Sequence, residues 1–198
     1  MQNPPAVSFY SPQELETFAE VFLEKHALPL QIPVDIELII EKNLGISIID
    51  ADLEEHYGLH GYIAISLETI YIERFIMDSP NHEKRYRFIL AEEVGHLILH
   101  KDLFKGVKTA DDYIAALDKI SEAEHKRMDI DAKRLGESIL MPAGAFRKCA
   151  LDVSVSTGTM TMAKLREIVG DFFNVSEAAV HYRFKHLGLV SQIKLPEA

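Results

Sequence analysis

Cysteine is nearly absent from this chain: Cys149 is its only one. A single thiol can form no internal bridge and no cysteine-based zinc site, so a reducing, cytoplasmic compartment is expected. The opening residues, Met1-Gln2-Asn3-Pro4-Pro5-Ala6, lack a basic start followed by an apolar run, and no apolar stretch approaches membrane-spanning length. Neither export nor membrane insertion is expected. Basic residues are also scarce. The net charge is −10, and residues 1–70 hold 2 basic against 12 acidic side chains while the rest hold 19 of each. No basic tract could neutralise several phosphates at once, which disfavours non-specific nucleic-acid binding. What remains is a 198-residue chain, 47% hydrophobic and 26% charged. That suits one compact domain, or a domain with a small helical appendage, able to bury a core without disulfides or a structural metal.

Helical signals dominate. Ser11-Pro12-Gln13-Glu14 is a capping box, followed by Leu15, Phe18, Ala19, Phe22 and Leu23 at helical spacing up to about Leu28-Pro29. A second helix is predicted after Pro33, carrying Ile36, Ile39 and Ile40 and stopping near Gly45. Ile46–Ile49, Tyr62–Ser66 and Ile70–Ile72 read as strands of a small antiparallel or mixed sheet. From Ser79-Pro80 to about His100 apolar residues cover most of a helix circumference, so that helix is expected to be central and buried. Ser121-Glu122-Ala123-Glu124 opens another helix, ending at Met141-Pro142. Ser154–Thr161 reads as a linker, which divides the chain into residues 1–153 and a helical C-terminal segment, 154–198. Two short helices are predicted there, Lys164–Val169 and Ser176–Leu187, the second closed by Gly188.

The chemistry concentrates in the central helix. Glu92 and Glu93 are adjacent carboxylates in apolar surroundings, where an ionised group is expensive unless a cation compensates it. Glu92 and His96, at i and i+4, lie roughly 40° apart on one side of the helix and can reach one metal ion. Glu93 lies beside that site and could accept a proton from a metal-bound water. His100 sits about 12 Å along the axis from Glu92, which makes it a surface or supporting histidine rather than a ligand. A further ligand is expected from the helix after Ser121, where Asp131 falls on the apolar stripe of Met128, Leu135 and Ile139. Asp129 points away from that stripe, although a phase error of one residue would exchange the two.

The segment Arg87-Phe88-Ile89-Leu90-Ala91-Glu92-Glu93-Val94-Gly95-His96-Leu97-Ile98-Leu99-His100 resembles the central helix of the ImmA/IrrE metallo-endopeptidases, roughly R-F-x-x-A-H-E-x-G-H-x-x-L-H. Glu92 stands where that pattern has its first histidine. Asp131-Ala132-Lys133 leading into Ile139-Leu140-Met141-Pro142 is similar to the family's acidic-Ala-Asn segment before L-L-M-P, with Asp for Glu and Lys for Asn. Phe173-Asn174-Val175-Ser176 through Arg183 and Leu187-Gly188-Leu189-Val190 resembles its helical tail.

The resemblance implies an α+β, zincin-like fold, mainly helical with a small sheet. It implies Glu92, His96 and Asp131 as metal ligands, Glu93 as general base and zinc as the ion. The substrate it implies is a protein, which for members from mobile genetic elements is a helix-turn-helix repressor. A second carboxylate in place of an imidazole lowers the ion's Lewis acidity and makes Mn²⁺ more competitive. The alternative is a catalytically impaired member acting as a non-enzymatic regulator that binds a repressor or DNA. Residues 151–198 hold 5 basic and 5 acidic side chains, which argues against phosphate contact by the C-terminal helices. His181, Tyr182 and Arg183 are read as surface residues, His26, His82 and His125 as exposed histidines, His56 and His60 as a loop pair near acids, and Cys149 as an inert buried thiol.

Overall fold

A computed structural model describes residues 7–155, 160–191 and 193. Helix α1 (Pro12–His26) starts where the capping box places it: Ser11 Oγ accepts the Glu14 N–H, and Glu14 in turn accepts the Ser11 N–H. It buries Leu15, Ala19, Phe22 and Leu23. The short helix α2 (Ile36–Leu38), capped by Asp35, runs into a π-helical turn at Ile39–Asn43 that propensity does not announce. Gly45, at φ +69°, ends it.

Strand β1 (Ser47–Ala51) is followed by α3 (Glu54–Tyr57), β2 (Gly61–Ala64), a 3₁₀ turn at Ile65–Leu67 and β3 (Thr69–Glu73). The sheet order is β1-β3-β2. β1 pairs with β3 in parallel, Ser47 opposite Thr69, and β2 pairs with β3 antiparallel, Gly61 opposite Ile72. The sheet is therefore mixed, and β2 is an edge strand with one side unpaired among the described residues.

After α4 (Arg74–Met77) and a 3₁₀ turn at Pro80–His82, the central helix α5 (Glu83–Leu99) buries Ile89, Leu90, Ala91 and Val94. Helices α6 (Lys101–Phe104) and α7 (Ala110–Leu117) lead to α8 (Glu122–Leu140), whose Ser121/Glu124 capping box forms as the sequence predicts. The two long helices touch through their backbones. A Cβ on Gly95 would lie 2.6 Å from the Ala132 carbonyl oxygen, and one on Gly136 would lie 2.8 Å from the carbonyl carbon of Ala91. Glycine is required at both positions by this approach and not by any turn. The crossing brings the acidic stretch of α5 against the middle of α8.

Helices α9 (Ala143–Val155), α10 (Met162–Phe173) and α11 (Glu177–His186) complete the described chain. The linker expected over Ser154–Thr161 begins inside α9, and residues 156–159 lie outside the described residues. The Phe146 ring packs tilted against Phe173 and edge-on against Phe184, centroids 5.7 and 5.0 Å away, and all three belong to the same core as Leu15, Ile40, Ile72 and Leu90. A smaller core of Tyr62, Phe104, Tyr113 and Met128 closes the other end of α5.

Arg183 corrects the sequence reading, which places it on the surface. It is 1% exposed. Its Nε donates to the Met141 carbonyl at 2.9 Å, Nη1 donates to Ser138 Oγ at 3.0 Å, and both terminal nitrogens engage the Glu16 carboxylate, Nη2 at 2.9 Å. A guanidinium survives burial here because the hydrogen bonds from its Nε and both terminal nitrogens all find acceptors. His181 and Tyr182 beside it are exposed, as expected.

Candidate functional site

A cleft of about 410 Å³ lies between β2, α5, α7 and α8, and its floor carries Glu92, Glu93, His96, Asp129 and Lys133. The α5 residues arrive there because i, i+1 and i+4 straddle the face that Gly95 brings onto α8. Glu93 is 4% exposed and His96 2%. Oε2 of Glu93 has no hydrogen-bond partner. The Nδ1 atoms of His96 and His100 share one hydrogen bond at 3.1 Å, one ring donating and the other accepting. His100 is thus a buried partner of His96 and not a surface group. Nε2 of His96 faces Asp129 Oδ1 at 4.0 Å.

The structure brings Glu92, Glu93 and His96 together, but it puts Asp131 elsewhere. Asp131 is fully buried, and both its oxygens accept from Arg127 Nε, at 3.1 and 3.0 Å, one turn earlier on α8. Arg127 also donates to the Tyr10 carbonyl at 2.8 Å, so this pair faces the N-terminal segment. Asp129 takes the place in the cleft that the sequence reading gives Asp131. The apolar stripe of α8 tracks its burial against α1, whereas the face turned to α5 is marked by small residues, Ala132 and Gly136. Asp129 lies seven residues before Gly136, two helical turns along that face. This spacing is the sequence signal that locates it.

Two further residues escape the sequence reading. His125 lies at the rim, its Nε2 3.5 Å from Asp129 Oδ2, half-buried and not simply exposed. Lys133 reaches in from α8, its Nζ 3.5 Å from Glu92 Oε1. His125, Asp129 and Lys133 repeat every four residues, a polar stripe beside the apolar one. His60 also borders the cleft, and its Nε2 lies 2.8 Å from Arg85 Nη2, which donates to it. Cys149, remote from the cleft, is half-buried, and burial pushes its thiol up.

Burial dominates the electrostatics. It pushes the Glu92 carboxyl up to about 7, against the pull of Lys133. Glu93 is pushed well above the ordinary carboxylate range, by burial first and then by the neighbouring Glu92 charge, with the Ile63 backbone N–H opposing. Asp129 is raised by burial despite His125 and Lys133. His96 is driven well below its usual value by burial and by His100, so its ring is neutral. For Glu92, a folded value above the ordinary 4.5 means the folded protein holds the proton more tightly than the unfolded chain does. Stability is therefore lost as pH rises from about 4.5 to about 7 and is level above that. Glu92→Gln is expected to stabilise the protein by about 1–3 kcal/mol at pH 8 and by less at pH 5, read from urea midpoints. An unchanged or greater difference at pH 5 would remove burial as the cause.

The ImmA/IrrE resemblance implies a metal here, and the donors can be tested against one. Of the three ligands expected from sequence, Glu92 is paired with Lys133 and Asp131 with Arg127, each a cation of the chain itself. Among the described residues no three His, Cys, Asp or Glu side chains are grouped so as to hold one ion. The donor set does not fit a three-ligand metal centre.

Comparison with known proteins places the fold. The model of the family described as Peptidase M78, IrrE N-terminal-like domain, matches residues 41–185. A solved structure of a Mycobacterium tuberculosis transcriptional regulator superposes with a TM-score of 0.60 at 17% identity, over 93% of this chain and 50% of that one. At that identity the likeness is one of fold, and this chain spans half the regulator's length. No curated protein matches. Among the described residues no helix is long and apolar enough to cross a membrane. The mixed three-stranded sheet, the α5/α8 crossing and the match over residues 41–185 agree: the chain belongs to the metal-dependent peptidase M78 family, with a zincin-like α+β fold.

Proposed function

We propose that the cleft receives an extended segment of a regulatory protein, as a peptidase of this family would, and that in this chain it binds without cutting. The observation that carries this reading is the Lys133–Glu92 pair. An ammonium sits against the carboxylate that would have to face an ion, so the buried acids are partly compensated from within. The segment would add to the unpaired side of β2, whose first residue, Gly61, lines the cleft. A repressor-like partner is the regulatory protein this reading favours.

A second reading has one observation in its favour, the buried, unpartnered Oε2 of Glu93. It makes the chain a metal-dependent endopeptidase hydrolysing a repressor-like protein, with Glu93 as general base and His96, Glu92 and, in place of the Asp131 expected from sequence, Asp129 as zinc or manganese ligands. Unfolded casein serves as a probe for both. Binding is expected with slowed hydrogen exchange at the Gly61–Ala64 amides, no cleavage, and substoichiometric zinc and manganese by elemental analysis of protein purified without chelator. Cleavage that requires added Zn²⁺ or Mn²⁺ and disappears in Glu93→Gln would establish the second reading instead.

A further inference from the structure

A separate concavity of about 490 Å³ lies where α1, α8, α9 and α11 meet, with volume in the range of small-ligand sites. Its walls carry Arg134, Arg147, Arg183 and Lys185, against the acids Glu16 and Glu20. The charges do not cancel. Arg183 is engaged with Glu16 and with the Ser138 and Met141 oxygens. Arg147 gives one N–H to the Leu187 carbonyl at 3.3 Å, which leaves the rest of its guanidinium without a hydrogen bond among the described residues. Arg134 and Lys185 make no side-chain hydrogen bond or ion pair among the described residues. Four cations therefore face two carboxylates, Glu16, which feels the charge of both Arg183 and Arg147, and Glu20, in a chain whose net charge is −10.

Such an arrangement is unfavourable by itself, since like charges gathered around a low-dielectric concavity repel one another. An anion placed among them turns the repulsion into attraction. The half-buried Arg134 and Arg147 present planar forks suited to tetrahedral oxyanions, and Lys185 adds a point charge. We infer that this concavity binds a phosphate-bearing small molecule, its oxyanion lying between Arg134, Arg147 and Lys185. The cations come from α8, α9 and α11, so an occupant ties the C-terminal helices to the helix that floors the cleft. The inference does not depend on how the cleft itself is read.

Calorimetric titration and thermal melting of the whole chain with inorganic phosphate, pyrophosphate and succinate test it. Pyrophosphate is expected to bind at least tenfold more tightly than succinate, to raise the melting temperature, and to weaken with added salt. Arg134→Gln and Arg147→Gln are each expected to reduce pyrophosphate affinity about tenfold while leaving the melt without anion unchanged. Lys185→Gln, at an exposed position, gives a variant whose folding is not in question. Absence of binding, equal affinity for all three anions, or affinity unchanged in all three variants would overturn the assignment. Preference for succinate would overturn it too, as the site would then be one for dicarboxylates.

Discussion

Replacing Glu92 by His and Lys133 by Asn in one chain is expected to give a protein holding about one zinc ion per chain, where the unaltered chain is expected to hold less than that. The substitutions act on the two groups that pair across the cleft. Glu92→His supplies a neutral imidazole one turn from His96, and Lys133→Asn withdraws the ammonium that lies 3.5 Å from position 92. His96 is already neutral, and its Nδ1 is held by His100, which leaves Nε2 directed at Asp129. An orienting hydrogen bond of that kind is what metal-binding histidines ordinarily have. Lys133→Asn alone is expected to lower stability by only about 1 kcal/mol, because the lysine side chain is 52% exposed and its pairing is screened by water. Elemental analysis of the wild type, both single variants and the double variant decides the matter. A metal-free double variant would mean that Lys133 and Glu92 are not what keeps an ion out.

The other large effect is expected at Arg183. Arg183→Met removes one side of a buried ion pair, leaves Glu16, whose side chain is only 20% exposed, with the Ser138 hydroxyl as its remaining hydrogen-bond donor, and takes the guanidinium away from the Met141 carbonyl. Losses of this kind run to about 3–5 kcal/mol, which for a chain of this size lowers the melting temperature by about 10 °C. Burial works against the Glu16 charge, yet the hydrogen bonds and charge of Arg183 outweigh it and hold the carboxyl below its usual range. The pair therefore stabilises above the ordinary glutamate value and loses that contribution as pH falls. The gap between wild type and Arg183→Met should narrow in acid. Glu16→Gln and the double variant complete a thermodynamic cycle measured by urea unfolding. A loss below about 1 kcal/mol at pH 7 would show that the guanidinium is not the link between α11 and α1.

Local chemistry made much of this molecule readable in advance. The capping boxes at Ser11 and Ser121 form as written, because each satisfies its own helix end without outside help. The three strands and the buried α5 follow from β-branched clustering and all-round apolarity. What stayed hidden depends on residues distant in sequence. Arg183 looks like a surface charge because its partner, Glu16, is 167 positions away. The phase of α8 misleads because the helix is buried on two faces: one carries Asp131 and Arg127, the other Asp129 and Lys133. Lys133 stands in the sequence only as a departure from a family pattern, and its role emerges once α5 lies across it.

The glycine crossing of α5 and α8 has one more consequence. With backbone against backbone at Gly95 and Gly136, the separation of the two helices is set by atoms that every substitution in the cleft leaves alone. The side chains projecting from that junction can be exchanged, an imidazole for a carboxylate or an amide for an amine, while the stage on which they stand keeps its dimensions. A lineage can thus lose, retune or regain its chemistry at this spot one residue at a time without rebuilding the architecture beneath.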